Sequence, residues 1–163
     1  SEQHESERWD VIVVGGGVAG LSAALTLGRA RRHVLVLDAG EPRNRFAAHM
    51  HGVLGHEGID PAELLRRGRK EVGAYDVTIR AGRAEQVEDA GGGLTVTTAD
   101  GESLFARALV VATGLTDDLP DIPGISEQWG TGVLHCPYCH GWEVRGRRLA
   151  VLGTSSVSLL TPN

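Results

Sequence analysis

The sequence lacks the long apolar and basic runs that would assign it to a membrane or to nucleic acid. No apolar stretch in its 163 residues reaches the roughly 18 residues needed to span a bilayer. The net charge is −5, and the short basic run over 29–32 is better explained as the cationic end of a helix. The first eight residues are polar and acidic, the opposite of a signal peptide. We therefore expect a cytosolic protein that binds neither membranes nor nucleic acid.

Cysteine is also scarce, because Cys136 and Cys139 are the only two in the sequence. In a reducing cytosol, a lone Cys-x-x-Cys pair is more often redox-active or metal-binding than a structural cross-link. Glycine is the opposite case, with 23 residues, about twice the usual share. The hydrophobic share of 41% and the charged share of 23% are typical of a folded globular protein. The abundant glycines therefore need positional explanations.

The N-terminal part of the chain has the pattern of a β-α-β unit. A β-branched apolar run over 9–14 is typical of a strand buried on both faces of a parallel sheet, and a second such run covers 33–38. Between them, residues 21–30 have helical spacing, with small side chains on the face that would approach the sheet. The unit spans about 30 residues, the usual length for this motif.

The middle of the chain predicts a second helix and several short strands. Asp60 as N-cap and Pro61 at the first helical position begin a helix that we expect to reach Val72. Alternating patterns and glycine turns predict short strands near 77–80, 83–87, 94–98 and 103–105, followed by a buried strand over 108–112. We interpret the short strands as a small antiparallel meander inserted after the β-α-β unit.

Gly15, Gly17 and Gly20 form a Gly-x-Gly-x-x-Gly pattern between the first strand and the first helix. The first glycine permits a tight turn, the second lets a pyrophosphate approach the backbone, and the third allows close packing of helix on sheet. Asp38 ends the second strand, about 20 residues later, where it can accept a hydrogen bond from a ribose hydroxyl. A plain glycine-rich turn is the alternative, but strand, helix and acid together predict a dinucleotide site. The acid disfavours the 2′-phosphate of NADP here.

Three segments, 11–21, 108–114 and the Cys-Pro-Tyr-Cys-His-Gly run over 136–141, resemble thioredoxin-reductase-like flavoproteins in content and order. The resemblance covers nearly all of 9–153. It implies that the glycine motif holds the FAD pyrophosphate and that the Ala-Thr-Gly turn lies beside the flavin nucleotide. The implied FAD-binding residues are Gly15, Gly17, Gly20, Asp38, Ala84, Ala112, Thr113 and Gly114, with Arg45 and His51 in a loop near the flavin ring.

The segment from Cys136 to His140 is compatible with several chemistries. A thiol/disulfide couple fits, since sulfurs three positions apart can close a small ring. Covalent haem fits the Cys-x-x-Cys-His pattern, but it normally requires export. Zinc would need a fourth ligand, and adjacent Cys139 and His140 fit one metal poorly, so we predict no metal site. The remaining alternative is a pair of buried structural cysteines.

The resemblance also implies a role for each residue of this pair. In thioredoxin reductases the second cysteine faces the flavin, which implies Cys139 as the flavin-facing thiolate and Cys136 as the thiol that exchanges with substrate. His140 stands where those reductases carry an aspartate, and Cys-x-x-Cys-His resembles the flavin-dependent dithiol oxidases. An imidazolium would favour the thiolate, and a neutral imidazole could take a proton from an incoming dithiol. Alternatively, His140 only caps or packs against the next turn.

A proline-containing linker over 119–124 is the candidate domain boundary. Beyond it, 148–153 predicts the first strand of a second nucleotide-binding domain, but the following segment lacks the middle glycine, which disfavours NADPH. The predicted fold class is α/β. It comprises a disordered tail over 1–8, the N-terminal part of a Rossmann-like FAD-binding domain with a parallel sheet and small meander over 9–118, and a linker with the start of a second, NADPH-like domain over 119–163.

The sequence thus predicts an FAD-dependent dithiol/disulfide oxidoreductase, either a dithiol oxidase or an NADPH-dependent disulfide reductase. The expected substrate is a dithiol or disulfide on a small molecule or on a thioredoxin-like protein, and the expected assembly is a homodimer. The alternative is a truncated, non-catalytic nucleotide-binding remnant or partner domain. It is kept because the C-terminal segment that completes the FAD domain in this family has no match in the sequence.

Overall fold

A computed structural model describes residues 8–153 of the chain. The strands are β1 Arg8–Val14, β2 Val34–Asp38, β3 Thr78–Ala81, β4 Ala84–Asp89, β5 Leu94–Thr98 and β6 Ser103–Val111. The helices are α1 Val18–Arg29, α2 Pro61–Gly73, α3 Ile125–Gln128 and α4 Pro137–His140, and a 3-10 turn covers Arg43–Phe46. Arg8 belongs to β1 rather than to the predicted tail, whose other residues, like 154–163, lie outside the described residues.

The six strands form one sheet in the order β3-β2-β1-β6-β5-β4. β1 pairs in parallel with β2 on one side and with β6 on the other, and β2 pairs in parallel with β3. The helix α1 connects β1 to β2 as a crossover, which is how parallel neighbours must be joined. The predicted α/β fold and its β-α-β unit are confirmed.

The predicted meander is corrected in two places. β3 pairs in parallel with β2, so it extends the parallel sheet instead of joining the antiparallel strands. The strands expected over 103–105 and 108–112 are one strand, β6, which pairs antiparallel with β5 along one edge and parallel with β1 along the other. Alternation in a sequence predicts strands but does not identify their neighbours, which explains both errors. The second half of β6 is also less buried than predicted, with Val111 69% exposed.

The apolar residues of the sheet form two clusters, and one of them packs under α1 and α2. That cluster joins alternate residues of β1 and β2, such as Val13 and Val36, with Leu21 of α1 and Leu65 of α2. The other cluster takes the remaining residues of the same strands together with β5 and β6, for example Ile12 and Val96. This arrangement leaves the carboxyl ends of β1, β2 and β6 at a common edge, where α/β sheets bind ligands.

Contacts divide the chain into two compact units. Within the described range, the first unit comprises 8–45 and 61–117, which contain the sheet, α1 and α2. The second comprises 46–60 and 118–153, which contain α3 and α4. The domain assignment made from the sequence stays a prediction. Of the helices within residues 8–153, none has both the length and the apolar character required to cross a bilayer.

The predicted strand over 148–153 is wrong, because these residues have no regular secondary structure. They are also exposed, with Leu149 and Val151 each 67% exposed. A strand forms only beside a hydrogen-bonding neighbour, and the six-stranded sheet of the described chain does not include this segment.

Candidate functional site

The first candidate site begins at the turn between β1 and α1. Gly15 has a φ of +112°, in the region that favours glycine, and a Cβ there would lie 2.1 Å from the Ala112 carbonyl oxygen. Gly20 is equally constrained, since its Cβ would lie 1.8 Å from the Gly15 carbonyl oxygen. Neither position can carry a side chain without a backbone shift, so both glycines are needed for this turn to form.

Gly17 differs from its two neighbours in the motif because it faces open space. It is the N-cap of α1, no side chain caps the helix, and a Cβ at Gly17 would meet nothing within 4 Å. The N–H groups of a first helical turn have no intrahelical partner, and they carry the positive end of the helix dipole. An uncapped helix start with open space in front of it fits a pyrophosphate, as FAD would supply.

Asp38, at the end of β2, lies next to this turn. Its Oδ1 accepts a hydrogen bond from the Gly40 N–H at 3.0 Å, and its Oδ2 accepts one from Nη2 of Arg69 at 2.5 Å. Burial raises the pKa of this carboxyl, but the hydrogen bonds from Gly40, Arg69 and the Gly16 backbone outweigh it, and the pKa lies below its ordinary value. Asp38 is therefore ionised at neutral pH and acts as a hydrogen-bond acceptor.

Sequence reasoning missed two residues that contact Asp38. Gly16 occupies a variable position of the glycine pattern, yet a Cβ there would lie 2.4 Å from Cγ of Asp38. Arg69 lies on α2, about 30 residues after β2, and no motif links it to Asp38. For Gly16, the sequence signal was the run of three consecutive glycines over 15–17, one more than the pattern requires there. For Arg69, there was no sequence signal.

The other residues implied as FAD contacts follow β6 or precede β4. Ala112 donates its N–H to the Val14 carbonyl at 2.8 Å, so the end of β6 lies beside the glycine turn. Thr113 and Gly114 follow it and are exposed. Ala84 begins β4, two residues after Gly82, whose N–H donates to the Asp38 carbonyl at 3.0 Å. These residues therefore lie at the same edge of the sheet as the glycine turn.

An ion pair joins the loop after β2 to the segment after β6. Arg43 contacts Asp117 twice, with Nη2 to Oδ1 at 2.5 Å and Nε to Oδ2 at 2.9 Å. Arg45, which the resemblance implied as a flavin contact, donates from Nη1 to the Pro42 carbonyl of its own turn at 3.0 Å. Arg43 is thus a further residue that sequence reasoning missed, and it orders the loop that carries Arg45.

His51 lies in the second unit, between two glutamates. Its Nδ1 is 2.6 Å from Oε1 of Glu57, and its Nε2 is 3.4 Å from Oε1 of Glu143. The hydrogen bond that His51 donates to Glu57 raises the pKa of His51, burial lowers it, and the charge of Glu143 raises it again, with a net upward shift. His51 therefore links the loop over 50–58 to the segment after α4, and neither glutamate was predicted.

The cysteine pair lies at the start of α4, with Cys136 before its first residue and Cys139 within it. Cys136 is the N-cap and Pro137 the first helical residue, and the Cys136 carbonyl accepts the N–H groups of Cys139 and His140, both at 3.3 Å. Residues three positions apart lie on the same side of a helix. Both cysteines are half-buried, whereas Tyr138 between them is 86% exposed. This geometry is suited to thiol–disulfide exchange.

His140 is distinguished by a buried nitrogen. Its Nδ1 is buried and has no hydrogen-bond partner among residues 8–153. Buried polar atoms without a partner are uncommon in proteins and often belong to functional groups. Within the same described range, no group of three or more histidine, cysteine or acidic side chains is arranged to hold a metal ion.

The structure thus distributes the predicted residues over two candidate sites, one in each unit. The first unit carries Gly15, Gly17, Gly20, Asp38, Arg45, Ala84, Ala112, Thr113 and Gly114. The second carries His51, Cys136, Cys139 and His140. The donors and open space of the first set suit an adenine dinucleotide, and the second set suits sulfur chemistry.

Known proteins resemble this chain along nearly its whole length. The sequence profile of the family described as pyridine nucleotide-disulphide oxidoreductase matches residues 9–159. A probable thioredoxin reductase from Arthroderma benhamiae is 39% identical over 153 residues, and the thioredoxin reductase tcpT from Claviceps purpurea is 37% identical over 151 residues. The crystal structure of HlmI matches with a TM-score of 0.87 at 48% sequence identity.

Coverage in these comparisons is unequal. The matches take in 90%, 88% and 93% of this chain, but only 38%, 46% and 49% of the A. benhamiae, C. purpurea and HlmI chains. The chain therefore spans less than half the length of each of these proteins.

Proposed function

The chain belongs to the pyridine nucleotide-disulphide oxidoreductase family, and from that premise we propose that it serves an FAD-dependent thiol–disulfide oxidoreductase. The observation that carries the proposal is the presence, in one chain, of an uncapped helix start behind a glycine turn and of a Cys-x-x-Cys pair within one helical turn. The similarity to two thioredoxin reductases supports the same reaction class.

Members of this family bind FAD and NADPH, and the first unit fits FAD. The turn over 15–20 and the start of α1 would hold the pyrophosphate, and Asp38 would accept a hydrogen bond from the adenosine ribose. When bound, FAD supplies two-electron redox chemistry. The ordered backbone at Gly15, Gly20 and Ala112 provides the site in advance, so little ordering entropy is lost on binding.

In the proposed reaction, Cys136 exchanges with the substrate and Cys139 faces the flavin. For a dithiol substrate, one substrate thiolate attacks Sγ of Cys136 in the Cys136–Cys139 disulfide and releases Cys139 as thiolate. The second substrate thiolate then attacks the substrate sulfur of the mixed disulfide and displaces Cys136. The substrate leaves as a disulfide, and two electrons remain on the Cys136/Cys139 dithiol. A disulfide reductase runs these steps in reverse.

We propose His140, the residue after Cys139 in the sequence, as the general base that accepts a thiol proton. Its buried Nδ1, which lacks a hydrogen-bond partner in the described chain, is an available acceptor for a thiol proton in the neutral ring. A base next to the dithiol helps generate the thiolates that exchange requires. This arrangement favours a dithiol oxidase within the family, acting on a dithiol of a small molecule or a thioredoxin-like protein. A cytosolic homodimer remains part of the proposal.

The proposal is tested with purified protein, substrate dithiol and the visible flavin spectrum. Cys136→Ser and Cys139→Ser should each abolish dithiol oxidation, here meaning at least a roughly 100-fold loss in kcat/KM, while bound FAD stays at the wild-type level. Turnover that survives Cys139→Ser would reject the assigned chemistry. Protein that binds no FAD and turns over no dithiol would favour a non-catalytic nucleotide-binding role instead.

Oxidase and reductase are separated by an anaerobic mixing experiment. A dedicated oxidase should keep its flavin absorbance when NADPH is added and lose it when a dithiol is added. Rapid bleaching by NADPH would assign the protein to the reductases.

A further inference from the structure

We infer that Arg69, a residue outside every recognised motif of the chain, is a positioning residue for the adenosine half of FAD and acts by fixing the Asp38 carboxylate against the glycine turn. The inference rests on the proposed FAD binding. It concerns a contact between α2 and the end of β2, both in the first unit.

The position of Arg69 on its helix is the first argument. Leu65 and Val72 are the buried residues on either side of it, and 65, 69 and 72 follow the spacing of one helix face. An arginine on the face of a helix that packs on the core needs a partner for its charge. Its guanidinium reaches Oδ2 of Asp38 at 2.5 Å.

The neighbouring arginines of α2 provide the contrast. Arg66 and Arg67 both contact Glu63 on the same helix, and their side chains are 65% and 52% exposed. The Arg69 side chain is 39% exposed and that of Asp38 only 16%. Arg69 therefore makes a long-range contact that the other two do not, and Arg67 is a matched control for its charge.

Gly16 confines Asp38 from the other side. A Cβ at Gly16 would lie 2.4 Å from Cγ and 2.5 Å from Oδ2 of Asp38, so the carboxylate occupies the space that a side chain at Gly16 would need. The Gly40 N–H holds Oδ1 at 3.0 Å. With Arg69 on Oδ2, both oxygens are held and the side chain has one orientation.

A carboxylate has about four acceptor positions. The donors of Gly40 and Arg69 use two of them, which leaves capacity for a ribose hydroxyl. Because an acceptor that is already oriented loses less entropy on binding, Arg69 should increase affinity without touching the ligand. Its loss should weaken binding by roughly 2- to 12-fold, the range for ordering one side chain.

The test measures ADP affinity by calorimetry on purified protein stripped of bound cofactor. ADP carries the adenosine and pyrophosphate of FAD without the flavin. Arg69→Ala should raise the Kd for ADP roughly 2- to 12-fold. Arg69→Lys should restore part of the loss because it keeps a donor near Asp38, and Arg67→Ala should leave the Kd unchanged. Thermal unfolding of each variant confirms that it folds.

A double-mutant cycle with Asp38→Asn separates positioning from general stability. If Arg69 acts through Asp38, Arg69→Ala adds little to the loss in the Asp38→Asn background. An equal loss in both backgrounds, or a wild-type Kd for Arg69→Ala, would overturn the inference. Wild-type protein that binds neither ADP nor FAD would instead reject the proposed function, so the two failures are distinct.

Discussion

The glycine turn of the first unit and the cysteine segment of the second are held in place by different forces. At the turn, backbone atoms leave no room for side chains, since Cβ atoms at Gly15 and Gly20 would lie within 2.1 Å of carbonyl oxygens. The cysteine segment over 136–142 contains the four-residue helix α4, and its aromatic side chains, Tyr138 and Trp142, are exposed. Polar contacts, such as His51 with Glu143, order its surroundings.

The difference indicates what each region requires of its residues. A site built from close-packed backbone tolerates almost no added volume, because neighbouring strands cannot move independently. A short exposed helix held by hydrogen bonds and partly screened charges tolerates substitution with small losses in stability. Anchoring of a cofactor benefits from the first kind of site, and chemistry on an incoming substrate from the second.

The largest expected effect is the loss in the free energy of unfolding caused by Gly20→Ala, for which Gly17→Ala is the comparison. The added Cβ at position 20 would lie 1.8 Å from the Gly15 carbonyl oxygen, whereas the one at 17 would meet nothing within 4 Å. We expect Gly20→Ala to lower the free energy of unfolding by about 2–3 kcal/mol or more. Gly17→Ala should change it by less than about 1 kcal/mol.

The same two variants can also be compared by their affinity for FAD. Gly17→Ala places a methyl group in front of α1, so it should weaken FAD binding while leaving the fold intact. Urea unfolding of the cofactor-free protein and FAD titration measure the two effects separately. Equal stability of the two variants would contradict the packing argument.

A smaller effect is expected for Gly16→Ala, which affects a side chain instead of the backbone. The new Cβ would clash with Asp38 at 2.4 Å from Cγ, and the carboxylate would have to leave its donors. We expect FAD affinity to fall roughly 10-fold with a stability loss of about 1–2 kcal/mol. FAD titration and urea unfolding check both values. Unchanged affinity would show that the orientation of Asp38 does not matter for binding.

The smallest expected effect is the titration of His51 in the second unit. The hydrogen bond to Glu57 is the main cause of its raised pKa, and the charge of Glu143 adds to it. The folded pKa lies above the ordinary value of 6.5, so the stabilisation is fully present below about pH 6.5 and is lost as the pH rises through the folded pKa.

NMR titration of the His51 ring measures this directly. Glu57→Gln should lower the pKa more than Glu143→Gln, because Glu57 makes the shorter contact, 2.6 Å against 3.4 Å. Glu41→Gln is the control. It removes a negative charge from the exposed Arg83–Glu41 pair in the first unit, and it should leave the pKa of His51 unchanged. A His51 pKa that is insensitive to both glutamates would contradict the clustered arrangement.

Part of the fold was predictable because it depends on local patterns. The apolar runs of β1 and β2, the helical spacing of α1 and the Asp60-Pro61 helix start are readable within a few residues. The glycine motif was predictable for the same reason, since a tight turn, a close approach and a helix contact each need a glycine at a set spacing. The strand predicted over 148–153 had the same local pattern but no neighbour in the sheet, and it did not form.

The sequence by itself determined the β-α-β unit, the glycine turn and the one-turn spacing of Cys136 and Cys139, because each depends on the conformations of residues close together in the chain. Only the tertiary structure decided that β3 joins the parallel sheet, that β6 has neighbours of both directions, and that Arg69 reaches Asp38. These are contacts between residues far apart in the chain. Their partners are selected by how whole elements pack, which hydrophobic periodicity does not specify.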